Sequence, residues 1–88
     1  MTVKVNFLYI GGGLQKARES AGLSQAELSR KSGVSLRTIQ DYEQGRHDLN
    51  GAKFSTILKL CLALECPFDA ILTDAETLEL LEAYTEQN

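Results

Sequence analysis

The stretch Leu23–Arg46, LSQAELSRKSGVSLRTIQDYEQGR, decides the fold because it holds two short helical patterns on either side of a turn. Ser24 can cap the first helix, and Glu27 three residues later supplies the other half of a capping box. Gly33 lies where this helix should end. Ser35–Gln44 then forms a second helical pattern with its own capping serine. Two short helices joined in this way are typical of a helix-turn-helix.

The net charge of −3 is distributed unevenly along the 88 residues. Residues 14–53 carry seven basic and five acidic side chains, whereas residues 54–88 carry one basic and seven acidic ones. The sequence therefore predicts a mildly basic helix-turn-helix followed by an acidic tail. Affinity for phosphate irrespective of sequence is expected to be low, because few counterions would be released.

The length corresponds to one domain. The sequence contains no run of about eighteen apolar residues, so no membrane span is predicted. The N-terminus lacks the features of a secretory signal, so we expect a cytoplasmic location.

Residues 2–10, TVKVNFLYI, alternate in a period of two and are rich in β-branched and aromatic side chains, which predicts a strand. No other segment has a strand pattern that could pair with it. Three interpretations stay open: pairing with the same strand of a second copy, addition to the sheet of another partner, or a disordered arm. The triplet Gly11–Gly13 either delays the first helix to about Gly13 or acts as a hinge.

Four more helical segments surround the central stretch. They are a first helix at 14–21, a heavily buried helix at 54–64, a short helix at 68–72 and a last helix capped by Thr73 with Glu76. The last helix has an apolar stripe and an acidic face. It either covers the core or forms a dimer interface.

Several motifs in register resemble the phage-repressor-like family, also called the Xre family. They are LSQAEL (23–28), GVS (33–35), TI (38–39) and YEQGR (42–46), and the resemblance covers roughly residues 10–72. It implies an all-α, five-helix lambda-repressor-like helix-turn-helix domain at 14–72. In this chain an N-terminal β-strand arm with a Gly hinge (1–13) would precede the domain, and an extra acidic C-terminal helix (73–88) would follow it.

The resemblance also implies that the recognition helix, Ser35–Gln44, enters the major groove of double-stranded DNA. The residues predicted to contact DNA are Gln25, Ser35, Leu36, Arg37, Thr38, Gln40, Asp41, Gln44 and Arg46. Gln25 and Arg46 would contact phosphates, and Arg37 would bind guanine O6 and N7 together. Leu36 would meet a thymine methyl or mark an altered surface. Asp41 would accept from cytosine N4 or pair with Arg37 in the free protein.

Other polar and reactive residues are expected to be structural. By resemblance, Arg18 and Glu43 form a partly buried ion pair that holds the fold. Cys61 and Cys66 match neither a redox motif nor a zinc spacing, and on one continuous helix their thiols would point apart. No metal and no cofactor are predicted.

Two hypotheses follow. The first is a sequence-specific transcriptional regulator, a dimeric repressor bound to double-stranded DNA, with the N-terminal strand or the C-terminal helix as the dimer contact. The second is a protein-interaction module or an antitoxin-type partner protein on the same fold. An enzyme is not expected, because no paired carboxylates in an apolar setting and no nucleophile with a base are present.

Overall fold

The computed structural model describes residues 13–87. Its five α-helices are α1 (Gly13–Ser20), α2 (Gln25–Ser32), α3 (Leu36–Glu43), α4 (Phe54–Leu64) and α5 (Ala75–Glu86). Two 3-10 helices, Leu49–Gly51 and Phe68–Ala70, flank α4.

The predicted fold class was wrong in its N-terminal β-strand arm. Residues 13–87 contain helices and no strand, so this part of the chain offers no partner for the backbone groups of a strand. The residues predicted to form that strand, 2–10, lie outside the described residues. The short helix expected at 68–72 is a single 3-10 turn, Phe68–Ala70, and the next two residues, Ile71 and Leu72, are buried in the core. The C-terminal helix is therefore the fifth α-helix and not a sixth.

The capping box of α2 is present as predicted. The Ser24 hydroxyl accepts from the Glu27 backbone N–H at 3.0 Å, and the Glu27 carboxylate accepts from the Ser24 N–H at 2.8 Å. The helix ends at Gly33, whose φ of 80° is left-handed and unfavourable for other residues. Both ends of the first helix of the motif are thus encoded locally.

The core joins the helix-turn-helix to the C-terminal half of the chain. Its fully buried side chains are Leu28 of α2, Ile39 of α3, Leu60 of α4 and Ile71. Gly13 is the first residue of α1 in the described part of the chain. A Cβ atom on Gly13 would lie 3.1 Å from the Ile71 carbonyl oxygen, so glycine permits this close approach.

The cap of α5 lies one residue later than predicted. Asp74, not Thr73, is the N-cap, and its carboxylate accepts from the backbone N–H and the hydroxyl of Thr77 at 2.9 and 2.7 Å. The reason is tertiary: Asn50 Oδ1 accepts from the backbone N–H groups of Thr73 and Asp74 at 2.8 and 2.9 Å. Asn50 thereby links the loop after α3 to the start of α5.

The two cysteines do not point apart. The chain leaves α4 through Glu65, whose φ of 54° is left-handed, and the Cys66 N–H then donates to the Cys61 carbonyl at 3.1 Å. This arrangement brings the residues at the two ends of the turn into contact. Burial, together with the neighbouring Cys66, raises the pKa of the Cys61 thiol to about 12. Both thiols are free, and such a thiol is a weak nucleophile.

Candidate nucleic-acid interface

A buried ion pair holds the C-terminal end of α3 against α1. Arg18 donates from Nε to Glu43 Oε2 at 2.7 Å and from Nη2 to Glu43 Oε1 at 3.1 Å, and its Nη1 donates to the Leu23 carbonyl at 2.8 Å. The two side chains are only 11% and 3% exposed. The hydrogen bond to Glu43 raises the pKa of Arg18, against the opposing effect of burial. A paired and hydrogen-bonded buried charge fixes the position of the helix end that carries it.

Gln25 adds a second contact to the same carboxylate. Its side-chain amide donates to Glu43 Oε1 at 2.9 Å, which links the start of α2 to the end of α3. This bond uses one of the two amide hydrogens, and the other can reach a further acceptor. The unsatisfied backbone N–H groups and the positive dipole end of α2 lie at the same place, so the position suits an anion.

The outward face of α3 carries most of the residues predicted to contact DNA. Ser35, Leu36, Arg37 and Gln44 are exposed, and Thr38 and Gln40 are half-buried. The Ser35 hydroxyl is the N-cap: it accepts from the Thr38 N–H at 3.1 Å and donates to the Thr38 hydroxyl at 2.7 Å. The face therefore presents one cation, one exposed apolar side chain and several amide and hydroxyl groups.

Asp41, which was also predicted to contact DNA, does not lie on this exposed face. It is only 8% exposed, and its backbone carbonyl accepts from the N–H groups of Arg46 and His47 at 2.8 and 3.3 Å. These bonds form because the chain reverses at Gly45, with a φ of 80°, and lies back over the end of α3. A helical projection cannot show this cover, since the covering residues follow the helix.

Three cationic or titratable side chains surround the Asp41 carboxylate. Arg46 Nη1 lies 3.2 Å from Oδ1, Arg37 Nε lies 3.7 Å from Oδ1, and His47 Nδ1 lies 3.9 Å from Oδ2. The Asp41 side chain is 12% exposed, whereas those of Arg37, Arg46 and His47 are 80%, 62% and 69% exposed. The spacing of four residues predicts the contact of Asp41 with Arg37, whereas no local pattern predicts its contacts with Arg46 and His47.

Metal-binding clusters and membrane-spanning helices are both absent from the described part of the chain. Residues 13–87 hold no group of three or more histidine, cysteine, aspartate or glutamate side chains that could bind a metal ion. Within the same range, no helix has both the length and the apolar character that crossing a membrane requires.

An open groove of about 1360 Å³ lies between α4, the second 3-10 helix and α5. Leu58, Leu62, Leu81 and Tyr84 line it, and Glu82 is among its acidic residues. It lies in the acidic half of the chain and includes none of the residues predicted to contact DNA.

This chain is similar to a helix-turn-helix family model, to a curated protein and to solved structures. A family model described as helix-turn-helix matches residues 14–71. A protein named as an uncharacterized transcriptional regulator in the ATPase CF(0) region of Rhodospirillum rubrum is 34% identical over 68 residues, which are 77% of this chain. The chain spans 60% of the length of that curated relative.

The third similarity is to a solved structure. The crystal structure of the restriction-modification controller protein C.AhdI from Aeromonas hydrophila matches with a TM-score of 0.63 and 28% sequence identity, over 73% of this chain and 92% of that one. The family match extends over more than half of the chain. It covers α1 from its second residue and the whole of α2, α3 and α4, but not α5. The chain therefore belongs to the helix-turn-helix family, as its resemblance to the Xre family implied.

Proposed function

We propose that this protein is a sequence-specific regulator of transcription that binds double-stranded DNA with α3 in the major groove. The observation that carries the proposal is the combination of an exposed polar face on α3 with a buried anchor at its end. The contacts of Glu43 with Arg18 and Gln25 fix α3 relative to α1 and α2. A helix that reads base edges needs such a fixed orientation, because each contact depends on distances of about 3 Å.

The predicted contact residues take the following roles in this proposal. Arg37 reads a guanine, Leu36 meets a thymine methyl, and Ser35 and Gln44 bond to bases or phosphates at the two ends of α3. Gln25 and Arg46 bind phosphates on either side, with Thr38 and Gln40 closer to the backbone. Asp41 is less accessible than a base-reading side chain should be, so it is assigned no base contact in this proposal.

The names of the related proteins support this function. One is called a transcriptional regulator and the other a restriction-modification controller. Both descriptions fit a small protein that acts by occupying a site on DNA. Repression is the simplest mode for such a chain, because a bound helix-turn-helix can exclude other proteins from the same duplex.

A dimer is the finer part of the proposal, with the contact on α4 and α5. Phe54, Leu58 and Leu62 are 64%, 37% and 76% exposed and recur every four residues along α4, and Leu80 of α5 is 64% exposed. Exposed apolar side chains that share one helix face, as Phe54, Leu58 and Leu62 do, are typical of a protein interface. A second copy is the occupant we favour, because Lys59 lies on α4 and the acidic face on α5, so α4 of one copy against α5 of the other joins opposite charges.

The test of the function is selection from a random duplex library at about 100 mM salt, since sequence-independent binding is weak under such conditions. A palindromic consensus with half-sites about 34–36 Å apart is expected for a dimer. Arg37→Ala should abolish enrichment of a defined base, whereas Arg30→Ala, an equal change in charge on α2, should not. Absence of any enriched site would contradict the proposal.

The alternative, a protein-interaction module or antitoxin-type protein on the same fold, is favoured by the mainly apolar groove between α4 and α5. It predicts no enriched duplex and a stable complex with another protein. Binding of a partner protein that is lost with Leu62→Ser and kept with Arg37→Ala would decide for it.

A further inference from the structure

The recognition helix contains a carboxylate that the proposed function does not use. Asp41 belongs to α3, the helix proposed to lie against a polyanion, where a negative charge is unfavourable. Yet its side chain is 12% exposed and in contact with Arg37 and Arg46, both proposed to touch DNA. A buried charge with these partners calls for a physical explanation.

The geometry resembles that of an arginine with a phosphate. Arg46 Nη1 lies 3.2 Å from Asp41 Oδ1, and Arg37 Nε approaches the same oxygen at 3.7 Å. A carboxylate and a phosphate offer similar acceptor oxygens to a guanidinium group. Because the two arginines are 80% and 62% exposed, each can leave Asp41 and reach a phosphate without unfolding the helix.

We propose, building on the function above, that Asp41 is a positioning residue that competes with DNA phosphate for Arg37 and Arg46. In the free protein it neutralises part of their charge and holds both side chains over the end of α3. On DNA, each arginine exchanges the carboxylate for a phosphate or a base. Asp41 thereby lowers the affinity for duplex DNA of any sequence and reduces its dependence on salt.

A purely structural role for Asp41 makes a different prediction. Its backbone carbonyl already holds the loop through the N–H groups of Arg46 and His47, and a change of side chain leaves these bonds in place. If the carboxylate only stabilised the loop, its loss would weaken DNA binding or leave it unchanged. Competition with phosphate instead predicts that removal of the carboxylate increases the affinity of the protein for DNA.

The experiment compares Asp41→Asn with the wild type on a duplex of unrelated sequence between 50 and 300 mM salt. Asparagine retains an acceptor for Arg46 but lacks the charge. We expect binding about tenfold tighter at 100 mM salt, and a plot of log affinity against log salt steeper by about one, as for one added phosphate contact. Asp48→Asn is the matched control: it removes the same charge from the following loop, where Asp48 contacts Asn50, and should change affinity less than twofold.

The gain must also depend on the two arginines. In the Asp41→Asn background, Arg37→Gln with Arg46→Gln should remove the gain entirely. Equal effects of Asp41→Asn and Asp48→Asn would overturn the proposal, because long-range charge would then suffice. Weaker binding confined to a selected site would also overturn it and would assign Asp41 to cytosine recognition.

Should Asp41→Asn fail to fold, by circular dichroism and urea unfolding, the arginine pair in the wild-type background answers the same question. If Asp41 neutralises one of the two arginine charges, the double substitution Arg37→Gln with Arg46→Gln should make the plot of log affinity against log salt less steep by about one. A decrease of about two contradicts the proposal. These measurements use unrelated DNA, so they remain informative if no specific site exists and the proposed function fails.

Discussion

The two halves of this domain use their polar and apolar residues in opposite ways. In residues 13–53, buried polar contacts such as Arg18 with Glu43 hold the helices in place, and the surface of α3 is polar. In residues 54–87, the interior is apolar, and large apolar side chains such as Leu62 and Leu80 remain exposed among acidic ones. The first half is suited to a hydrated polyanion and the second to a protein surface.

This difference shows how one small core can serve two surfaces. Polar anchoring gives α3 a fixed orientation without covering its outward face. In the proposed dimer, a second copy covers the apolar side chains that are exposed on α4 and α5.

The largest effect is expected from the buried ion pair of the first half. Arg18→Ala leaves the Glu43 carboxylate, 3% exposed, without its cationic partner, which should cost about 3–5 kcal/mol of unfolding free energy. Urea unfolding measures this loss. Lys31→Ala is the control: its contact with Glu65 spans 3.8 Å with both side chains at least half exposed, so a change of about 0.5 kcal/mol or less is expected. Similar losses in the two variants would contradict a special role for the buried pair.

The next largest effect is expected at the junction between the two halves. Asn50→Ala removes the acceptor for the N–H groups of Thr73 and Asp74, and an unpaired backbone donor costs about 1–3 kcal/mol. Hydrogen exchange should become faster across α5 than across α3. Thr73→Val removes only the hydroxyl that accepts from Asn50 at 3.1 Å and should cost less. Uniform acceleration in all helices would show that Asn50 does not act locally.

Substitution of an exposed leucine should affect self-association in the second half and DNA binding in the first. Leu62→Ser should weaken self-association tenfold or more, measured by analytical ultracentrifugation, because Leu62 is 76% exposed on the proposed dimer surface. Leu36→Ser, a leucine 39% exposed on α3, should leave the oligomeric state unchanged and weaken binding to a selected duplex. A monomeric wild type at all accessible concentrations would rule out the proposed dimer.

The smallest effect concerns the caps of α2 and α5 at low pH. Hydrogen bonds from the backbone and hydroxyl of Ser24 lower the pKa of Glu27 below 4.5, and those from the hydroxyl and backbone of Thr77 lower the pKa of Asp74 below 3.8. A carboxyl whose pKa is lower when folded stabilises the protein above its unfolded pKa, and this stability is lost as the pH falls through the folded pKa.

Urea midpoints measured from pH 6 to pH 3 should therefore decline first near pH 4.5. Glu27→Gln should flatten the early part of the decline, and Asp74→Asn the part below about pH 3.8. Identical pH profiles for the wild type and both variants would show that neither cap titrates with folding.

The local signals in the sequence predicted the central elements well. The capping box of Ser24 and Glu27, the stop at Gly33 and the N-cap at Ser35 are encoded within a few residues, so they were found without knowledge of the tertiary structure. The strand prediction for residues 2–10 had no such support, since a strand depends on a partner elsewhere. The contact residues assigned to DNA remain predictions.

What the sequence by itself determined is the helix-turn-helix, because its caps, glycines and apolar spacing act over three or four residues. Only the tertiary structure decided the surroundings of Asp41, the bridge from Asn50 to α5 and the contact between the two cysteines. At Asp41 and at the cysteines the chain reverses after a helix, and at Asn50 two segments 23 residues apart meet, so a helical period cannot place these contacts. Local hydrogen bonding therefore fixed the elements, and the path of the chain between them fixed the chemistry at their ends.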